Sequence, residues 1–99
     1  MTSDQVMSML KAALPDLRRE FKVQELYLFG SFARGDYGPE SDVDVLVEFQ
    51  PDSRPTLFTL AGLQIRLTEL LGRDVDVGTP GGLKPRSRDS INAEKRRVA

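Results

Sequence analysis

Eight consecutive residues constrain this chain more than any others: Asp42-Val43-Asp44-Val45-Leu46-Val47-Glu48-Phe49. Aspartate alternating with β-branched valine is the period-two signature of a strand. Asp42 and Asp44 then point to one face, roughly 6–7 Å apart along the strand, while Val43 and Val45 point to the other. The apolar run Val45-Leu46-Val47 places this strand inside a sheet, although alternating aspartates alone would equally suit a solvated edge. Two like charges on one face of an interior strand repel, which is costly unless a cation lies between them.

The flanking pattern supplies the other elements. Ser3 is the expected cap of a first helix with Val6, Leu10, Ala13, Leu14 and Leu17 on one side. Pro15 is expected to break it, with a second short turn from Asp16 to Glu20. Leu26-Tyr27-Leu28-Phe29 is apolar on both faces and reads as an interior strand ending at Gly30-Ser31. Beyond the loop from Gln50 to Pro55, the residues Leu57, Leu60, Ala61, Gln64, Leu67 and Leu71 mark a helical stripe, stopped by Gly72. A third strand, Asp74 to Val77, follows, and then an apolar-poor basic tail over 83–99 with a weakly marked helix. Helix, strand, strand, helix, strand predicts a single α/β (α+β) domain over 1–99, a small mixed sheet packed by helices.

The 99 residues include neither cysteine nor histidine. Thiolate nucleophiles, disulfides, imidazole acid–base catalysis and most transition-metal sites are therefore excluded. Remaining chemistry rests on carboxylates, hydroxyls, Lys, Arg, backbone amides and hard cations. The net charge of −1 divides into a tail of +4 from residue 83 onward and a body of −5. A nucleic-acid-binding domain is not expected from that balance. No apolar stretch approaches the roughly 20 residues of a membrane span and the N-terminus lacks a secretory pattern, so a cytoplasmic protein is expected.

Asp76, flanked by Val75 and Val77, repeats the aspartate–valine arrangement, with Asp74 as its competitor. Three carboxylates from two strands suit Mg²⁺, and two such ions could clamp both oxygens of a phosphoryl transfer. Gly30-Ser31 ends a strand before a first helical turn at Phe32-Ala33-Arg34. A glycine there admits a phosphate to the backbone, Ser31 adds a hydroxyl, and Arg34 can neutralise phosphate or pair with a carboxylate.

Gly30-Ser31, ten residues, then Asp42-Val43-Asp44 resembles the GSx10DxD signature of nucleotidyltransferases of the DNA polymerase β type. Leu28 to Asp36, then Ser41 to Val47, then Leu71-Gly72-Arg73-Asp74-Val75-Asp76-Val77 is similar to the minimal nucleotidyltransferase (MNT) family, and the likeness selects Asp76 over Asp74. It spans about Leu14 to Ile91. The resemblance implies that Asp42, Asp44 and Asp76 hold two Mg²⁺, with Asp76 as candidate base, and that Gly30, Ser31 and Arg34 bind the triphosphate of ATP. It further implies AMP transfer to a hydroxyl of a partner protein, a tyrosine of a HEPN ribonuclease toxin, for which such proteins serve as antitoxins. An antitoxin that acts by binding alone and an aminoglycoside-type small-molecule nucleotidyltransferase are the alternatives. The oligomeric state is left open.

Overall fold

The computed structural model describes residues 1–80 and 95–98. Helix α1 spans Ser3–Phe21, strand β1 Val23–Phe29, the short helix α2 Ser31–Arg34 and strand β2 Val43–Phe49. Helix α3 follows at Leu57–Leu71, strand β3 at Val75–Gly78 and strand β4 at Arg96–Arg97. The sheet order is β3-β2-β1-β4. β1 runs antiparallel to β2 and β4, while β2 and β3 are parallel and joined by the α3 crossover. The mixed sheet with helices against it is as expected.

Helix α1 starts one residue earlier than the sequence suggests. Thr2 caps it and Gln5 closes the reciprocal capping box. Ser3 instead donates its hydroxyl to the Phe32 carbonyl at 2.6 Å, tying the start of α1 to α2. Pro15 does not break the helix, which runs unbroken to Phe21. Its ring faces solvent, while Val6, Leu10, Leu14 and Leu17 form one continuous buried stripe whose packing outweighs a single lost backbone donor.

The α3 stripe is rotated from the expected one. Leu63, Leu67 and Leu71 are buried, whereas Leu57, Ala61 and Gln64 are exposed. Gly72 ends the helix with φ +70° and its amide on the Thr68 carbonyl, as expected for a left-handed stop. The α1 and α3 stripes meet Leu26 and Leu28 of β1, Val43, Val45 and Val47 of β2, and Val75 of β3 in one core.

The tail departs furthest from expectation. The weakly marked helix expected in the tail over 83–99 falls mostly outside the described residues, and where the tail is described Arg96 and Arg97 are a fourth strand, paired with Leu28 and Tyr27 of β1. Val98 is buried and donates its amide to the Leu26 carbonyl at 2.9 Å. Arg97 forks onto Glu25, Nε to Oε2 at 3.1 Å and Nη2 to Oε1 at 3.0 Å. Both this pair and Arg18 hold the Glu25 carboxyl below the usual carboxylate range, with Arg97 the stronger cause.

Candidate active site

The helices cover one side of the sheet, and the aspartates stand on the other. In the parallel β2–β3 ladder Asp44 is the register partner of Asp76. Across the antiparallel ladder Asp44 is opposite Phe29, the residue just before Gly30. Register alone therefore brings the end of β1, Asp44 of β2 and Asp76 of β3 to one place. Asp42 lies immediately before β2, whose first residue is Val43. Asp74 precedes β3, and its carbonyl accepts the Val43 amide at 2.9 Å. The side chain facing Asp44 in register is thus that of Asp76.

Gly30 is the tightest point. Its backbone lies at φ +72°, ψ −152°, a region that side-chain-bearing residues scarcely enter. A Cβ at this position would overlap the Asp44 Oδ2 and come within 3.2 Å of its Cγ. Glycine is required twice, by torsion and by the carboxylate packed against it. The chain then turns into α2, with the Ala33 and Arg34 amides both on the Gly30 carbonyl at 3.1 and 3.0 Å.

Burial raises the Asp44 pKa above its ordinary value, the Asp76 and Asp42 charges add to that, and Arg34 opposes them. All three carboxylates and Arg34 therefore share one field. Arg34 is exposed and its Nε lies 3.2 Å from Asp36 Oδ2. Ser31 and Asp44 are half-buried, and Asp42 and Asp76 are exposed among the described residues.

The donor set is all oxygen and its members repel, which in type and charge fits a hard divalent cation. Among the described residues the acidic side chains are not already drawn into a cage of three. Asp42, Asp44 and Asp76 would have to close around an ion, whose charge would offset their mutual repulsion.

One residue was not singled out by the sequence. Arg73, just ahead of Asp74, donates Nη2 to the carbonyls of Pro39 at 2.8 Å and Ser41 at 2.9 Å. Its guanidinium lies 5.0 Å from the Phe32 ring centroid, and that ring stacks on Tyr37 at 4.4 Å. An arginine beside the third-strand aspartate was visible in the sequence, but its partners are main-chain carbonyls, which leave no residue signature.

A mixed sheet carrying a glycine turn against paired strand aspartates defines a nucleotidyltransferase. The chain belongs to the nucleotidyltransferase domain family, whose model matches residues 10–99, and within it to the minimal nucleotidyltransferases. It is 38% identical over 84 residues to the protein adenylyltransferase MntA of Thermococcus cleftensis, covering 85% of this chain and 83% of the relative. A solved structure described as a minimal nucleotidyltransferase superposes with a TM-score of 0.79 at 32% identity, over 97% of this chain and 95% of the other. A toxin–antitoxin structure with AMP-PNP shares the fold, with a TM-score of 0.73 at 22% identity over 90% of this chain and 72% of that one. The protein is a nucleotidyltransferase enzyme.

Proposed function

We propose that this enzyme transfers AMP from ATP to a hydroxyl of a partner protein, a tyrosine of a HEPN-type ribonuclease toxin, and so acts as its antitoxin in the cytoplasm. The observation that carries the reading is the meeting of Gly30, Asp44 and Asp76 at one point of the sheet. Identity to a protein adenylyltransferase over most of both chains supports the AMP-transfer class. The exposure of Asp42 and Asp76 supports a macromolecular acceptor, because among the described residues both carboxylates are open to approach from outside the chain.

In this reading Asp42, Asp44 and Asp76 hold two Mg²⁺, which when bound neutralise phosphate charge and acidify the acceptor hydroxyl. The Gly30 backbone admits the triphosphate and Ser31 donates its hydroxyl to it, while Arg34 balances charge beside Asp44. The acceptor oxygen bonds to the α-phosphorus, the bond from that phosphorus to the bridging oxygen breaks, and pyrophosphate leaves. Asp76, exposed on β3, receives the hydroxyl proton.

The test is intact-mass analysis after incubation with ATP, Mg²⁺ and the protein encoded beside this one. Added mass in AMP units on the partner, lost in Asp42→Asn and Asp44→Asn, is the expected result. Asp76→Asn should slow transfer by roughly two orders of magnitude or more, and Asp74→Asn by no more than a few-fold. Equal effects at 74 and 76 would overturn the assignment of Asp76. A tight complex with no added mass would replace transfer by binding alone.

A further inference from the structure

Asp42 reaches the site at the end of a connection that starts at Gly35 and carries Gly38 and Pro39. Such a connection has many conformations to lose when a ligand binds its last residue. The structure holds it from the side. The Gly38 amide donates to the Ser41 hydroxyl at 2.8 Å, and the Ser41 amide donates to the Gly38 carbonyl at 3.2 Å, closing a turn. Arg73 Nη2 then lies within 2.8 Å of the Pro39 carbonyl, 2.9 Å of Ser41's and 3.4 Å of Gly38's.

The three segments joined by this guanidinium are those that carry the site. Its own backbone leads into β3 and Asp76. The carbonyls it holds lead directly into Asp42. The ring beneath it, Phe32, belongs to α2, which begins at Ser31, and Phe32 stacks in turn on Tyr37 within the connection. A planar, permanently charged head that can both donate along its edge and lie on an aromatic face suits this task, and lysine reproduces only part of it.

We propose that Arg73 is a positioning residue for the carboxylate site, fixing Asp42 relative to Asp76 by clamping the turn of residues 38–41. The inference rests on the reading of Asp42, Asp44 and Asp76 as cation ligands. Arg73 acts through main chain and contributes pre-organisation, so that less ordering remains to be done when the cation binds.

The experiment compares full-length wild type, Arg73→Met and Arg73→Lys, with Mn²⁺ as the probe cation measured by the paramagnetic resonance of the free ion. Amide hydrogen exchange is followed in parallel. Arg73→Met should weaken Mn²⁺ binding about tenfold, the scale on which lost support of metal ligands is felt. Exchange should accelerate in residues 36–42 while the β1–β2 ladder keeps its protection. Arg73→Lys, which keeps the charge over Phe32, should recover affinity to within about threefold of wild type. Wild-type affinity retained in Arg73→Met, or protection lost evenly across β1 and β2, would overturn this inference alone. A wild-type protein with no affinity for Mn²⁺ would overturn the cation reading and this inference with it.

Discussion

Replacing Gly30 by alanine tests the central contact of the site without touching a charge. The backbone there, at φ +72° and ψ −152°, costs a side-chain-bearing residue about 1–3 kcal/mol. The added methyl would also overlap the Asp44 carboxylate and lie 3.2 Å from its Cγ and 3.3 Å from its Cβ. Asp44 must then swing off its rotamer, for about 0.5–1.5 kcal/mol more. The expected loss is about 2–4 kcal/mol, a lowering of Tm by roughly 10–20 °C in a domain of this size. The assay is thermal unfolding followed by circular dichroism in metal-free buffer, on Gly30→Ala, Asp44→Ala and the double variant. Removing the carboxylate relieves the collision but leaves the torsional strain. The double variant should therefore recover about 1 kcal/mol beyond additivity and still melt below Asp44→Ala. A Gly30→Ala protein melting within about 3 °C of wild type would refute the torsional argument. Strict additivity would refute the contact with Asp44.

Two further outcomes concern stability. The raised pKa of Asp44 means that the folded protein holds this proton more tightly than the unfolded chain, so ionisation at this position opposes folding. The penalty is absent below the unfolded carboxylate value, about 3.9, and complete above the raised folded one. Asp44→Asn should accordingly be more stable than wild type at pH 7 without metal, by about 1 kcal/mol at most given the solvent around its neighbours, with the gain vanishing towards pH 4. Unfolding curves of both proteins across that range check it. Lys22 is the C-cap of α1 at φ +61°, the one non-glycine residue with positive φ among those described. Lys22→Gly should raise stability by about 0.5–1 kcal/mol, read as an upward shift in the urea midpoint at unchanged slope.

What could be read from the chain was whatever depends on short-range pattern. Strand β2 and the shared face of its aspartates follow from period two, since a one-residue slip would bury them, but the pairing of Asp44 with Asp76 needs the sheet, because a two-residue slip keeps the same faces. Gly30 was legible as a turn, but its second reason, the Asp44 carboxylate against it, needs the fold. The face of α3 was not legible because Leu57, Phe58, Leu60, Ala61, Leu63, Ile65 and Leu67 make that helix apolar nearly all round. Several stripes fit such a sequence, and the sheet chooses among them. Pro15 misled for the opposite reason: a strong local signal was overruled by a continuous buried stripe on the far side of the helix. Strand β4 has two residues and no period to detect. Its existence depends on Glu25, Tyr27 and Leu26, all distant in sequence.

That distance governs when this edge of the sheet can form. Positions 27 and 97 are ladder partners, so one edge of the sheet is finished by almost the last residues described. As the chain is synthesised from its N-terminus, α1, the β1–β2 pair and the α3 crossover can assemble while the outer rim of β1 still offers free amides and carbonyls to any neighbouring strand. The slot that Val98 fills in the core stands open for the same interval. Arrival of Arg96, Arg97 and Val98 covers part of that rim and fills the slot together, and the two-residue strand that it adds is a poor template for further pairing. Until residues 96–98 emerge, the nascent sheet thus keeps this part of β1 open to wrong association.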